Sequence, residues 1–200
     1  LASAASLVII ATISILAAIS INQAKNEEAR QRELAEESKR QAVAARVLAE
    51  QRRVEALDNF RQARNAVDTS LTGISEVLKH HPGMQQMRQG LLEKAATDYE
   101  QFASQKSDDL EIQLERGRAY LRLGDARRDL NQVPEAENAY KHAAEVFTDL
   151  KEAQPGNLEP ERERASSQVK LANLYQLQEK LDQSSQLFQE TVQQLRDLKK

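Results

Sequence analysis

Cysteine and tryptophan are both absent from this 200-residue chain. Without cysteine there is no disulfide framework, thiol nucleophile or Cys-based metal site. Four Phe and four Tyr are the only aromatics, so a core must be built mainly from Leu, Val and Ala, which suits helix packing better than a sheet sandwich. Neither Gly nor Pro occurs between Leu1 and Thr72, so nothing there breaks a helix. Charge of one sign is missing too. The formal net charge is −3, and the dense basic face that phosphate binding needs is not found, so no nucleic-acid partner is expected.

Residues 1–24 carry no charged side chain. Twenty-one of them, LASAASLVIIATISILAAISI, reach about 31 Å as a helix, the thickness of a bilayer's hydrocarbon core. Five Ser and Thr within the run are tolerated because their hydroxyls bond back to the preceding turn. A signal peptide would start with basic residues and carry a shorter apolar core. The reading is a transmembrane helix over 1–22, with membrane lipid around residues 1–21. Lys25, Arg30, Arg32, Lys39 and Arg40 follow it and, by the positive-inside rule, would face the cytoplasm. That rule compares two flanks and only one is visible, so the sequence leaves orientation open. Leu1 already lies in the apolar run and RDLKK stops just after an amphipathic stretch, as in a piece of a longer protein.

Residues 25–64 contain ten Lys or Arg and eight Asp or Glu among good helix formers. Glu28–Arg32 and Glu36–Arg40 are i,i+4 pairs in the favourable order. A polar helical stalk is expected over 23–80, continuous through residue 65 or beyond. Val43, Val47, Val54, Leu57, Leu71 and Leu78 approximate a heptad seam, interrupted by Glu50, Arg61 and Arg64. A weak homodimer through the stalk and a monomeric spacer are both open.

The most informative feature is self-similarity at an offset of 48 residues. Ala136, Tyr140, Ala143, Phe147 and Leu150 form a stripe spaced 4, 3, 4, 3. Forty-eight residues later stand Ser184, Phe188, Thr191, Leu195 and Leu198, and forty-eight earlier Arg88, Leu92, Ala95, Tyr99 and Phe102. Leu123-Gly124 matches Leu171-Ala172 in the same phase. Small residues at Gly124, Ala136 and Ala143 let two antiparallel helices approach closely, and large ones fill the grooves beside them. Phe147 and Leu150 are expected to be buried. Helices are expected near 86–103, 109–130, 134–153, 160–178 and 181–199, with Asp108 and Glu111 as a capping box. Asn131 stands at a turn and tolerates the left-handed conformation, whereas Glu179 holds the matching turn in the second unit.

LGDARRDLNQVPEAENAYKHA resembles the tetratricopeptide repeat (TPR) consensus: Leu-Gly early in the first helix, then Ala, an aromatic and Ala in the second. The fold implied is all-α, a single transmembrane helix running into the stalk and then antiparallel hairpins of a TPR-like α-solenoid over 84–200. A degenerate copy covers 67–104 and repeats cover about 108–155 and 157–200. TPR arrays bind a protein or peptide on the concave face lined by first helices. The register then puts Arg118, Asp125 and Arg128 on that side of one repeat, and Asn173 and Gln176 on that side of the next. Asn173 in LANLY is similar to the asparagine that holds a peptide backbone in peptide-binding repeats. Two Arg and an Asn suit an extended, acidic or carboxylate-bearing peptide.

FRQARNAVDTSLTGISE, HPGMQQMRQGLLEKAATDYEQF and LERGRAYLRLG together resemble the C-terminal region of bacterial transmembrane serine/threonine protein kinases of the planctomycete type. Such kinases run from catalytic domain to membrane helix, charged helix and TPR array. The resemblance implies a cytoplasmic kinase upstream and repeats outside the cytoplasm, against the sense of the basic flank. Neither the ATP loop nor the catalytic loop of a kinase lies in this chain, and no P-loop or nucleophile elbow is present. His80 and His81 are adjacent and cannot form an i,i+4 metal pair. No enzyme activity, metal or cofactor is expected of these residues, and the roles that fit are a sensory or scaffolding module or a structural membrane-tethered spacer.

Overall fold

A computed structural model describes the backbone of residues 2–105 and 107–197, and the side chains of 16, 19–105 and 107–197. Every described element is helical: α1 Ala2–Val67, a π-helical turn Asp68–Thr72, α2 Gly73–Leu78, α3 Gln85–Ala103, α4 Leu110–Asp129, α5 Val133–Ala153, α6 Glu159–Leu177 and α7 Leu181–Asp197. Packing divides the chain into two units, the first ending at Val54 and the second beginning at Glu55.

Where its side chains are described, from residue 19 on, the helix of the first unit is largely exposed. Leu34, Val43, Val47 and Val54 are exposed, and its side chains pair along its own surface, with Glu28–Arg32 in contact and Glu36–Arg40 at 3.8 Å. Among the described residues no helix is long and apolar enough to cross a membrane. The expected span, residues 1–21, falls mostly outside the residues whose side chains are described.

The second unit starts well before residue 80, where the stalk was expected to end. Leu57, Phe60 and Val67 are buried, and the Phe60 and Phe102 rings lie 5.4 Å apart. The anticipated heptad seam is therefore divided. Leu57 is buried, and Leu71 packs on a core of Val67, Ala95, Ala96, Tyr99, Leu123, Ala126 and Ala139, leaving neither free for a second stalk. Residues 68–78 do pack on α3, but through a π turn followed by α2. The turn brings Asp68 and Thr72 to the buried Tyr99 hydroxyl, which donates to the Asp68 carboxylate.

From α3 onward each helix packs on the next. Ala136, Tyr140, Ala143 and Phe147 are fully buried and Leu150 nearly so. They form a core with Leu114, Leu121, Leu171 and Leu174. The 48-residue offset extends to the backbone. Asn131 has φ 58° and Glu179 φ 61°, so both turns use the left-handed conformation although only Asn suits it. Ser184, where the first repeat has Ala136, is buried and donates 2.9 Å to the Ala172 carbonyl. One local expectation is corrected: α4 is capped by Asp109, not Asp108. The Asp109 side chain accepts from the Glu111 and Ile112 amides at 2.9 and 3.4 Å, because helical geometry begins at Leu110 and the cap must directly precede it.

Candidate interaction groove

Alpha4 turns one edge toward α5 through Gly117 and Gly124, and the neighbouring edge toward α6. Phe147 occupies the space a Cβ at Gly117 would need, and Tyr140 does the same at Gly124. With α4 pinned in this way, Arg118, Leu121, Arg122 and Asp125 line a groove of about 230 Å³, completed by Arg64 of α1 and by Glu163, Ser166 and Lys170 of α6. Two pairs of these residues are repeat equivalents, and Glu163 has its equivalent in Glu115 beneath the groove. Glu115 and Glu163, Arg118 and Ser166, and Arg122 and Lys170 each stand 48 residues apart.

Beneath the groove Glu115 is only 1% exposed. It contacts Arg64, lies 3.4 Å from Arg61 Nε and accepts from Arg118 at 2.9 Å. A carboxylate this deep is stable only with its charge matched and its oxygens bonded. Arg118 continues the network, its Nε donating to Glu163 at 2.7 Å and Nη2 to Glu159 at 2.6 Å. Burial would lower its pKa, but the Glu163 hydrogen bond and charge outweigh that and hold the guanidinium more firmly protonated than usual.

Asp125 joins three elements. It accepts from the Tyr140 hydroxyl at 2.9 Å and from Lys170 Nζ at 2.8 and 2.9 Å, with Arg128 at 3.8 Å. Burial, then the Asp125 charge, push the Tyr140 phenol far above its ordinary range, so it remains a donor at any physiological pH. Arg128 is held by Asp129 at 2.8 Å. Asp129 is also held by Arg88 of α3 at 3.2 Å.

The five residues chosen from sequence therefore separate. Arg118 and Asp125 line the groove, each already held by partners inside the protein. Arg128 lies off the lining and braces the contact with α3. Asn173 and Gln176 are exposed on α6 beyond it. Sequence reasoning missed Arg64, Glu115, Arg122, Glu163 and Lys170. The 48-residue offset carried a signal for two of them, since Glu163 follows from Glu115 and Lys170 from Arg122. Arg122 is the groove's most open guanidinium. Its side chain is 52% exposed, and its ion pair among the described residues is with Asp68 at 3.5 Å.

Such a lining can hold polar and charged groups of a chain laid across α4 and α6. Among the described residues no His, Cys, Asp and Glu cluster has the arrangement of a metal site. His142 is exposed, 3.0 Å from Glu145, with its ring tilted at 40° to that of Tyr120 and 5.4 Å from it. No known protein family, curated protein or solved structure matches this chain.

Proposed function

We propose that this chain is a membrane-anchored, TPR-like protein–protein interaction module whose groove between α4 and α6 takes an extended protein or peptide segment. The observation that carries this reading is the repetition in the lining: positions 118/166 and 122/170 present charged and polar side chains from two successive first helices. A groove lined at equivalent positions of two successive first helices recognises an extended chain better than a compact ligand. Arg122, with Asn173 and Gln176 exposed farther along α6, supplies the open donors, favouring a ligand that carries carboxylates. Residues 1–21 form the anchor, being uncharged and of spanning length.

The motif order of charged helix and helical hairpins supports a sensory or scaffolding role in a transmembrane serine/threonine protein kinase, with the repeats on the outer side of the membrane. A structural spacer is the second reading. It is favoured by the saturation of Arg118, whose guanidinium is already shared among Glu115, Glu159 and Glu163.

Two experiments test the proposal. The first measures fluorescence anisotropy with a panel of extended peptides of graded acidity. Binding should rise with acidity and fall on Arg122→Ala or Asn173→Ala, while Arg128→Ala leaves it unchanged. Absence of binding across the panel would favour the spacer. The second is carbonate extraction, which should leave the protein in the membrane fraction. Ile10→Arg with Ile13→Arg should prevent insertion, at about 2.5–3.5 kcal/mol each, and release of the unaltered protein would remove the anchor from the proposal.

A further inference from the structure

The outer edge of α7 carries a largely apolar stripe that the described residues leave partly uncovered, with Phe188 at its centre half-buried. Leu181, Ser185, Phe188, Val192 and Leu195 are spaced 4, 3, 4, 3, which places them on one side of a helix. Ser184 and Thr191, one helical edge away, are buried against α6, yet Leu181 is 63%, Val192 46% and Leu195 37% exposed. The matching positions of α5 are covered. Tyr140 and Phe147 are fully buried there, and Glu137 accepts from Tyr175 of α6 at 3.1 Å. The surface that α6 occupies on α5 is thus left partly open on α7 among the described residues.

The stripe itself indicates what fits it. Leu181 and Leu195 lie seven residues either side of Phe188, so an antiparallel copy sets each Leu181 against the other's Leu195 and brings the two Phe188 rings together. Asp182 and Arg196 lie on one flank of the stripe, centred on Gln189, and neither has an ion pair among the described residues. In the same arrangement each Asp182 falls within about 3 Å, along the axis, of the other copy's Arg196. Opposite charges then meet at both ends of the interface. A parallel pairing would instead carry the two flanks to opposite sides of the interface, and no Asp182 would meet an Arg196. The rest of this flank is neutral, with Gln189 and Gln193, and Glu190 points away on the far side of the helix. We propose that α7 is a self-docking surface on which α7 of a second copy packs antiparallel about a two-fold axis at Phe188. The interface is isologous and closes at two copies.

The test uses the full chain in neutral detergent, followed by sedimentation equilibrium. A monomer–dimer equilibrium is expected. Val192→Arg, at an exposed position that leaves the fold intact by circular dichroism, should weaken it by about tenfold or more. Asp182→Arg should weaken it, and adding Arg196→Asp should restore it. Since the chain has no cysteine, Gln189→Cys beside the axis should oxidise to a covalent dimer, and Gln186→Cys on the far side should not. A monomer at every concentration would overturn the proposal, and so would a dimer indifferent to Val192→Arg, which would be held together elsewhere. A charge swap that fails to restore association would overturn the antiparallel register.

Discussion

Gly117 of α4 lies directly beneath the Phe147 ring of α5. A Cβ built on Gly117 would come within 2.5 Å of Phe147 Cε1 and 2.7 Å of Cζ. Seven residues along, Gly124 stands in the same relation to Tyr140, at 2.4 Å. In the second repeat the equivalent pairs are Ala165 with Leu195 and Ala172 with Phe188.

Gly117→Ala should therefore destabilise the protein by about 1–3 kcal/mol, because a fully buried ring must move to admit the methyl group. Helix propensity opposes this with at most about 1 kcal/mol in favour of Ala, so sterics win. Gly90, at an exposed position of α3, has nothing within 4 Å of its Cβ direction. There Gly90→Ala should stabilise by roughly 0.4–1 kcal/mol. Chemical denaturation of both variants would show opposite signs, and a stabilising Gly117→Ala would mean that the α4–α5 contact is looser than described.

Glu179 adopts φ 61° in the turn between α6 and α7. A left-handed residue with a Cβ costs roughly 1–2 kcal/mol that glycine avoids, less the extra entropy glycine loses on folding. Glu179→Gly should raise stability, and Asn131→Gly should do less, since Asn already tolerates this conformation. Thermal melts compared side by side would check the ranking.

Glu115 carries the charge balance beneath the groove. Glu115→Ala would remove the carboxylate shared by Arg61, Arg64 and Arg118, leaving them Glu111, Asp68 and the Glu159–Glu163 pair respectively. The cost should therefore fall below the roughly 3–5 kcal/mol of a fully uncompensated buried charge, at about 1–3 kcal/mol. That loss should appear in denaturant unfolding as a lower midpoint. A cost under about 1 kcal/mol would mean that water reaches the site and screens it.

Acid sensitivity should trace in part to Glu137. The hydrogen bond from Lys141 at 2.7 Å holds its carboxyl below the ordinary 4.5, with Tyr175 also donating to it. A folded-state pKa below the unfolded one means that the carboxylate contributes stability above pH 4.5, lost as pH falls through the folded value. Glu137→Gln should flatten the stability profile in that acid window and leave its shape above it unchanged. An identical acid limb in the variant would rule the assignment out.

Helix content and the breaks from residue 80 onward were legible in the sequence, because they depend on local chemistry, whereas the π turn at Asp68–Thr72 was not. The 3.6-residue spacing of Leu92, Ala95 and Tyr99 and of Ala136, Tyr140 and Phe147 marks a buried face. Pro134 and Asn131 mark a helix start and a turn through their own backbone preferences. The repeat was legible too, since the 48-residue phase records one packing geometry used twice.

Tertiary structure alone decided which charges are available. Arg118 and Arg122 are four residues apart on one helix, yet one is bonded to three carboxylates and the other is half exposed. That difference depends on Glu115, Glu159 and Glu163, and two of those arrive from α6, more than forty residues away. It also decided where the long helix stops being solvated. Leu57 and Val54 are both apolar and three residues apart, but only Leu57 is buried. Periodicity identifies a face that can be covered, whereas whether anything covers it depends on how distant helices pack.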